Sequence, residues 1–166
     1  ERITTLDGVE RELNSNMLVI ADKNKPVAVA GVMGGEYSGI MVDTTTIVFE
    51  SAMFNGASVR KTAKALGMRT EASARYEKEL DALGCLNSLN RALQLIEELD
   101  AGDIIDGVID CDYSNKELVT LPFDSEWVNK FIGIELSAQE QQKILEKIGF
   151  KIVNGVITSP SFRNDI

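Results

Sequence analysis

Residues 27–35 read Val-Ala-Val-Ala-Gly-Val-Met-Gly-Gly, an apolar run that passes into a backbone suited to glycine. Val27 to Ala30 fits a short buried strand. Gly31, Gly34 and Gly35 allow positive φ and leave no Cβ in the way of whatever lies against them. Two readings follow: a tight turn or bulge made by the chain itself, or a close approach to a ligand or second segment. The stretch has neither the Lys-Ser/Thr pair of a P-loop nor a G-x-G-x-x-G opening a helix, so it is not read as a nucleotide fingerprint.

Working outward, Met17 to Ile20 forms a second apolar run, separated from the first by Asn24-Lys25-Pro26, and two adjacent strands are expected. Upstream, a strand at Ile3 to Leu6 followed by Asp7-Gly8 predicts a hairpin. Downstream, a polar loop through Tyr37 and Asp43 leads to Thr44-Thr45-Thr46-Ile47-Val48-Phe49, read as a strand on its β-branched and aromatic content. Glu50 directly follows that run. It admits two roles, a carboxylate salt-bridged at a strand end or a polar group in a pocket.

Helical spacing begins at Gly56, with Val59, Ala63 and Leu66 on one face, Asn55 or Ser58 as cap and Gly67 as terminator. A second helical segment runs from the Arg69–Ser73 junction to about Leu80. Residues 83–99 carry an apolar stripe of Leu86, Leu89, Leu93, Ile96 and Leu99, expected to be core. Ile104 to Ile109 is read as a last strand, and Asp110 to Lys116 as a linker. Beyond it come a strand at Leu118 to Leu121, a helix at Ser125 to Ile132, a Ser137–Glu140 capping box opening a helix that ends at Gly149, and a hairpin turning on Asn154-Gly155. The expectation is therefore an α+β chain, with a mixed sheet and helices in the first unit and a small winged-helix-like second unit of two helices and a hairpin.

The 166 residues are 44% hydrophobic, enough for a real core. A net charge of −9 argues against a general nucleic-acid or anionic-membrane surface. Residues 117–166 hold seven acidic against five basic side chains, poor for gripping DNA phosphates. The basic residues gather instead at Arg60, Lys61, Lys64, Arg69, Arg75 and Lys78, where they either guide an RNA terminus or coat solvated helix faces. Without a histidine, and with only Cys85 and Cys111, the usual zinc sites are excluded; thiols in a reducing cytoplasm are expected. No apolar run approaches a membrane span. The charged start and the unfinished Asn164-Asp165-Ile166 end suggest a piece of something longer.

The succession A-G-V-M-G-G (30–35), D-T-T-T-I-V-F-E-S-A-M-F (43–54), S-V-R-K-T-A (58–63), R-T-E-A-S-A-R-Y-E (69–77) and P-S-F-R-N-D-I (160–166) resembles the bacterial phenylalanyl-tRNA synthetase beta chain. The resemblance implies that residues 1–112 are part of its B3/B4 editing domain and 113–166 part of B5. It implies an editing pocket that hydrolyses tyrosine wrongly attached to tRNA(Phe), carried here by Gly34, Glu50, Thr70 and Ala72, with further histidine and arginine editing residues upstream. It also implies an alpha chain as partner in an α2β2 heterotetramer, with ATP and phenylalanine bound by that alpha chain, a cytoplasmic location, and no membrane or DNA partner. A magnesium ion is implied in the full enzyme, with Asp165 as one of its ligands; none is expected in this stretch alone. Residues 75–81 read R-Y-E-K-E-L-D where R-F-E-R-G-x-D is usual, so Glu79 stands where the family has glycine.

Such a pocket has a physical rationale. A site shaped for phenylalanine rejects a ring bearing one more hydroxyl only about a hundredfold, so a second sieve that reads the hydroxyl is needed. Glu50 would accept a hydrogen bond from a phenol and be left desolvated against phenylalanine, at about 1–3 kcal/mol. Gly34 would let substrate lie on main-chain amides, Ala72 would leave room, and Thr70 would orient the ester or a water. None is an activated nucleophile, so hydrolysis would rest on a positioned water. The competing reading is a non-catalytic structural or protein-interaction module.

Overall fold

A β-carbon on Gly35 would lie 2.6 Å from the Val27 carbonyl oxygen, closer than real contacts allow, and the same oxygen accepts the Gly35 N–H at 2.8 Å. What approaches this glycine is thus the chain's own backbone. The computed structural model describes residues 1–166, which divide into one unit of residues 1–80 and 85–104 and a second of 81–84 and 105–166.

In the first unit β1 (Arg2–Thr4) pairs with β2 (Glu10–Glu12), and β3 (Val19–Ala21), β4 (Pro26–Val29) and β5 (Met33–Gly34) form a second sheet, every pairing antiparallel. The expected hairpin and the expected pair of adjacent strands are both present. Gly8 takes φ 74° in the first turn; in the second, Asp22 Oδ1 accepts from the Asn24 and Lys25 N–H groups. Gly31 takes φ 66° between β4 and β5. Of the three glycines that allow positive φ here, only Gly31 adopts it.

The helices are α1 (Gly56–Ala65), α2 (Glu71–Tyr76) and α3 (Cys85–Glu98). Asn55 caps α1 by accepting the Ser58 N–H at 2.9 Å, and Gly67 follows its end at φ 63°. Val59 and Ala63 of α1 join Ile3, Leu13, Val29, Val32 and Met68 in the core. Fully buried Thr5 sits beside it. Its hydroxyl donates to Asp7 and accepts from Arg11 Nε at 3.0 Å, and Arg11 reaches on to the Leu66 carbonyl at 3.2 Å. The Thr5 hydroxyl and then the Arg11 guanidinium hold the Asp7 carboxyl below its usual range. This knot ties the first hairpin to the Leu66 carbonyl at the C-terminus of α1.

Three expectations of the first unit change. Thr44 to Phe49 forms no strand, and Val48 is 95% exposed; β-propensity describes fit to a pleated surface and does not supply a neighbouring strand. Ile104 to Ile109 is likewise unpaired, with Gly107 at φ 134°. Consequently there is no single mixed sheet but two small antiparallel ones, within an α+β fold. The α3 stripe is not core either: no residue of the helix is buried, and Leu86 is more than half exposed. A helix face becomes core only where another layer lies over it.

The second unit comprises β6 (Thr120–Pro122), α4 (Ser125–Ile132), α5 (Ala138–Lys147), β7 (Lys151–Val153) and β8 (Val156–Thr158), with sheet order β6-β8-β7. Asp124 caps α4, and the Ser137–Glu140 box opens α5. Asn154 (φ 51°) and Gly155 (φ 73°) make the hairpin turn. Buried Gln141 links the two helices, donating to the Ser125 carbonyl and to Asn129 Oδ1. The two helices and hairpin match the expected outline.

Three substitutions test this backbone account. Gly35→Ala should cost about 2–3 kcal/mol, the scale of overpacking against a fixed backbone, whereas Gly34→Ala should cost under about 1 kcal/mol, since its added carbon meets only the Leu6 side chain at 3.1 Å. Glu79 takes φ 62°, a left-handed conformation that costs a non-glycine residue about 1 kcal/mol or more. Glu79→Gly should therefore raise stability by roughly 1 kcal/mol. Denaturant unfolding measures all three.

Candidate functional site

Helix α2 organises the candidate site because its capping residue is anchored to the glycine turn. Thr70 is its N-cap, accepting from the Ser73 N–H at 3.0 Å and donating to the Val32 carbonyl at 2.7 Å. Ser73 Oγ answers by accepting the Thr70 N–H at 3.0 Å. The Thr70 proton is thus committed to the fold, and the lone pair left over is what it has for a ligand. Gly34 lies two residues beyond Val32, in β5.

Along α2, Ala72 is half-buried in the first turn and Tyr76 stands one turn later. The Tyr76 ring packs on Phe54 with centroids 5.2 Å apart, and both rings lie against the bare Cα of Gly31. Tyr76 is also within electrostatic reach of Glu50 and Cys85: burial first, then those two groups, push its phenol above its ordinary value. Sequence reasoning did not single out Tyr76. The available signal was its position four residues after Ala72.

Glu50 is exposed by area, yet the surrounding protein pushes its carboxyl above the ordinary value of 4.5, burial being the sole cause. It forms no ion pair or hydrogen bond. The salt-bridge role open to it in the sequence is therefore not the one it plays. Beside it, Ser51 Oγ donates to the Cys85 carbonyl at 2.7 Å, fixing the chain where it leaves the 44–49 run. Thr70 and Ala72 are thus brought together at the start of α2, with Gly34 close in sequence to the Thr70 anchor, while the structure links Glu50 to this helix only through its charge acting on Tyr76. Chemically this is a desolvated acceptor and an aromatic wall, with no nucleophile paired to a base.

In the second unit Asp165 is held by Arg163, whose Nε and Nη2 each donate at 2.7 Å, and that guanidinium pulls its carboxyl down. No group of three or more Asp, Glu, Cys or His side chains is arranged to hold a metal. Asp165 offers a single carboxylate, here engaged by the guanidinium fork, whereas Mg²⁺ takes six oxygens, several of them from water. No helix is long and apolar enough to cross a membrane.

Residues 1–101 match the family model of the B3/4 domain, and residues 121–166 match that of the tRNA synthetase B5 domain. The chain belongs to the B3/4 domain family. Across its whole length it is 43% identical to the phenylalanine–tRNA ligase beta subunit of Moorella thermoacetica, over 169 residues and 21% of that protein. It is 44% identical to that of Clostridium acetobutylicum over 22% of its length, and 39% identical to that of Bacillus subtilis over 21%. The chain spans about a fifth of the length of the curated relatives it matches. The resemblance carried by the five motifs thus extends across the B3/4 domain and the B5 domain behind it.

The raised Glu50 carboxyl gives a pH test. The folded state holds this proton more tightly than the unfolded chain, so ionisation works against folding, and stability is lost as pH rises from the ordinary value of 4.5 through the folded one. Glu50→Gln should be more stable than the parent at neutral pH, with the difference closing as pH falls to 4.5. Unfolding curves across that range measure it. A salt-bridged Glu50 would give the opposite sign.

Proposed function

We propose that this chain contributes the editing site of a phenylalanine–tRNA ligase beta subunit, hydrolysing tyrosyl-tRNA(Phe) after mischarging. The observation that carries the reading is Glu50, a carboxylate with no protein partner, in surroundings that disfavour its charge, within electrostatic reach of Tyr76 of the Phe54–Tyr76 pair. A phenol hydroxyl donated to that carboxylate relieves its desolvation; the phenylalanine ring leaves it unrelieved. Thr70 and Ala72 on α2 and Gly34 in β5 would shape the opposite side, and a water would deliver the hydroxide equivalent to the ester carbonyl. The ester C–O bond breaks, releasing tyrosine and leaving the tRNA ribose hydroxyl. Support for the setting comes from the relatives' names, which describe a tRNA ligase beta subunit.

In that setting the partners are tRNA(Phe) and an alpha chain in a heterotetramer. ATP-dependent attachment of phenylalanine, with its magnesium, belongs to the assembled cytoplasmic enzyme.

In the full-length enzyme, Glu50→Ala should lower the efficiency of tyrosyl-tRNA(Phe) deacylation about ten- to a hundredfold, the loss of one charge-assisted hydrogen bond. Phenylalanine charging should stay near the parent level, and deacylation of phenylalanyl-tRNA(Phe) should rise as the penalty against the bare ring disappears. Wild-type selectivity in a folded variant would leave Glu50 a structural carboxylate.

A further inference from the structure

In the second unit, residues 105–113 read Ile-Asp-Gly-Val-Ile-Asp-Cys-Asp-Tyr. On an extended chain, where side chains alternate, Ile105, Gly107, Ile109, Cys111 and Tyr113 fall on one side and Asp106, Val108, Asp110 and Asp112 on the other. That is the pattern of a strand with one apolar and one acidic face. A central glycine among β-branched residues and aspartates disfavours a helix. Such a strand belongs in a sheet, yet every residue from 101 to 113 is exposed. Ile105 is 75% exposed, Ile109 95% and Tyr113 97%.

The backbone is as uncommitted as the side chains. No N–H or C=O of residues 102–113 takes part in a backbone hydrogen bond, so both edges of the segment offer a row of donors and acceptors. Its only positive φ is the 134° of Gly107, and glycine moves from there to strand values without a Cβ to obstruct it.

Charge decides what can pair with it. From Ile105 to Asn115 there are three aspartates and no lysine or arginine. Asp112 is engaged by Lys116 at 2.8 Å. Asp106 and Asp110 form no hydrogen bond or ion pair, Asp110 acting on Lys116 only through its charge. A second copy of the segment is a poor partner: antiparallel pairing about Val108 sets Asp106 opposite Asp110, and parallel pairing in register sets each aspartate beside itself, and like charges so placed are destabilising. Basic side chains in the same positions are stabilising. We infer that residues 105–113 are a docking strand, which adds to the open sheet edge of a second protein chain that presents lysine or arginine to the Asp106–Asp110 side and apolar residues to the Ile105–Ile109 side. Main-chain hydrogen bonds supply the affinity and the aspartates the choice of partner. No residue of the candidate editing site takes part.

The test is binding of a short peptide of alternating lysine and valine to the full-length protein, over a range of salt, with amide hydrogen exchange read across residues 105–113. A peptide alternating glutamate and valine, and one with the lysines and valines in separate blocks, are the controls. The lysine–valine peptide should bind, more weakly as salt rises, and should protect these amides; neither control should. Asp106→Lys/Asp110→Lys should weaken the lysine–valine peptide about tenfold and make the glutamate–valine peptide the better ligand. Val108→Pro/Ile109→Pro, which removes an N–H from each edge, should abolish binding. Exchange elsewhere in the protein shows whether each variant is folded, and protection in the parent decides the matter if one is not. Equal binding of either control would overturn the inference, since charge or composition alone would then suffice. So would binding that leaves the 105–113 amides unprotected or makes the segment helical, or amides already protected without peptide, which would mean that another part of the full-length chain covers the strand.

Discussion

The bare Cα of Gly31 is the constraint on which the first unit depends. A β-carbon there would lie 3.0 Å from Val59, 3.2 Å from Phe54 and 3.3 Å from Tyr76, so one missing carbon admits side chains of α1, of the segment before it and of α2. The positive φ at the same residue turns β4 back into β5. Sheet, helices and aromatic pair therefore meet at one point. Because Tyr76 is placed there, its phenol lies within electrostatic reach of Glu50; because Val32 follows, its carbonyl is in position to anchor Thr70. The candidate site is a consequence of how the glycine turn is packed.

This changes what the glycines mean. In sequence they admitted a ligand pressed against the backbone. In the structure Gly35 is crowded by the Val27 carbonyl and Gly31 by three side chains, so close packing within the chain accounts for both. Gly34 is the looser case, facing only the Leu6 side chain, and it is the member of the trio assigned to the pocket by resemblance. The glycine with least structural reason to be glycine is the one with most room for a functional one.

Elements governed by local chemistry are legible in the amino-acid sequence. The Asn55 cap, the Ser137–Glu140 box and the Asn154-Gly155 turn each satisfy their own backbone within a few residues. Elements that need a partner elsewhere are not. Thr44 to Phe49 has strand composition without a ladder, and the α3 stripe has helical periodicity without a covering layer, since neither pattern states what lies opposite. For the site, motif resemblance singles out Glu50, Thr70, Ala72 and Gly34. It does not reveal that the Thr70 hydroxyl already serves as a cap, or that Tyr76 feels the Glu50 charge. Those facts depend on tertiary packing, and a residue string does not carry it.

The central claim is that the Glu50 carboxylate reads the phenol hydroxyl of a misattached tyrosine. Its most direct test is a crystal structure of the full-length enzyme bound to a non-hydrolysable tyrosyl-adenosine analogue. The account predicts the phenol oxygen about 2.6 Å from a Glu50 carboxylate oxygen, the separation of a charge-assisted O–H···O⁻ bond. A tyrosyl ring seated elsewhere, or a Glu50 carboxylate turned away into an ion pair with protein, would contradict it.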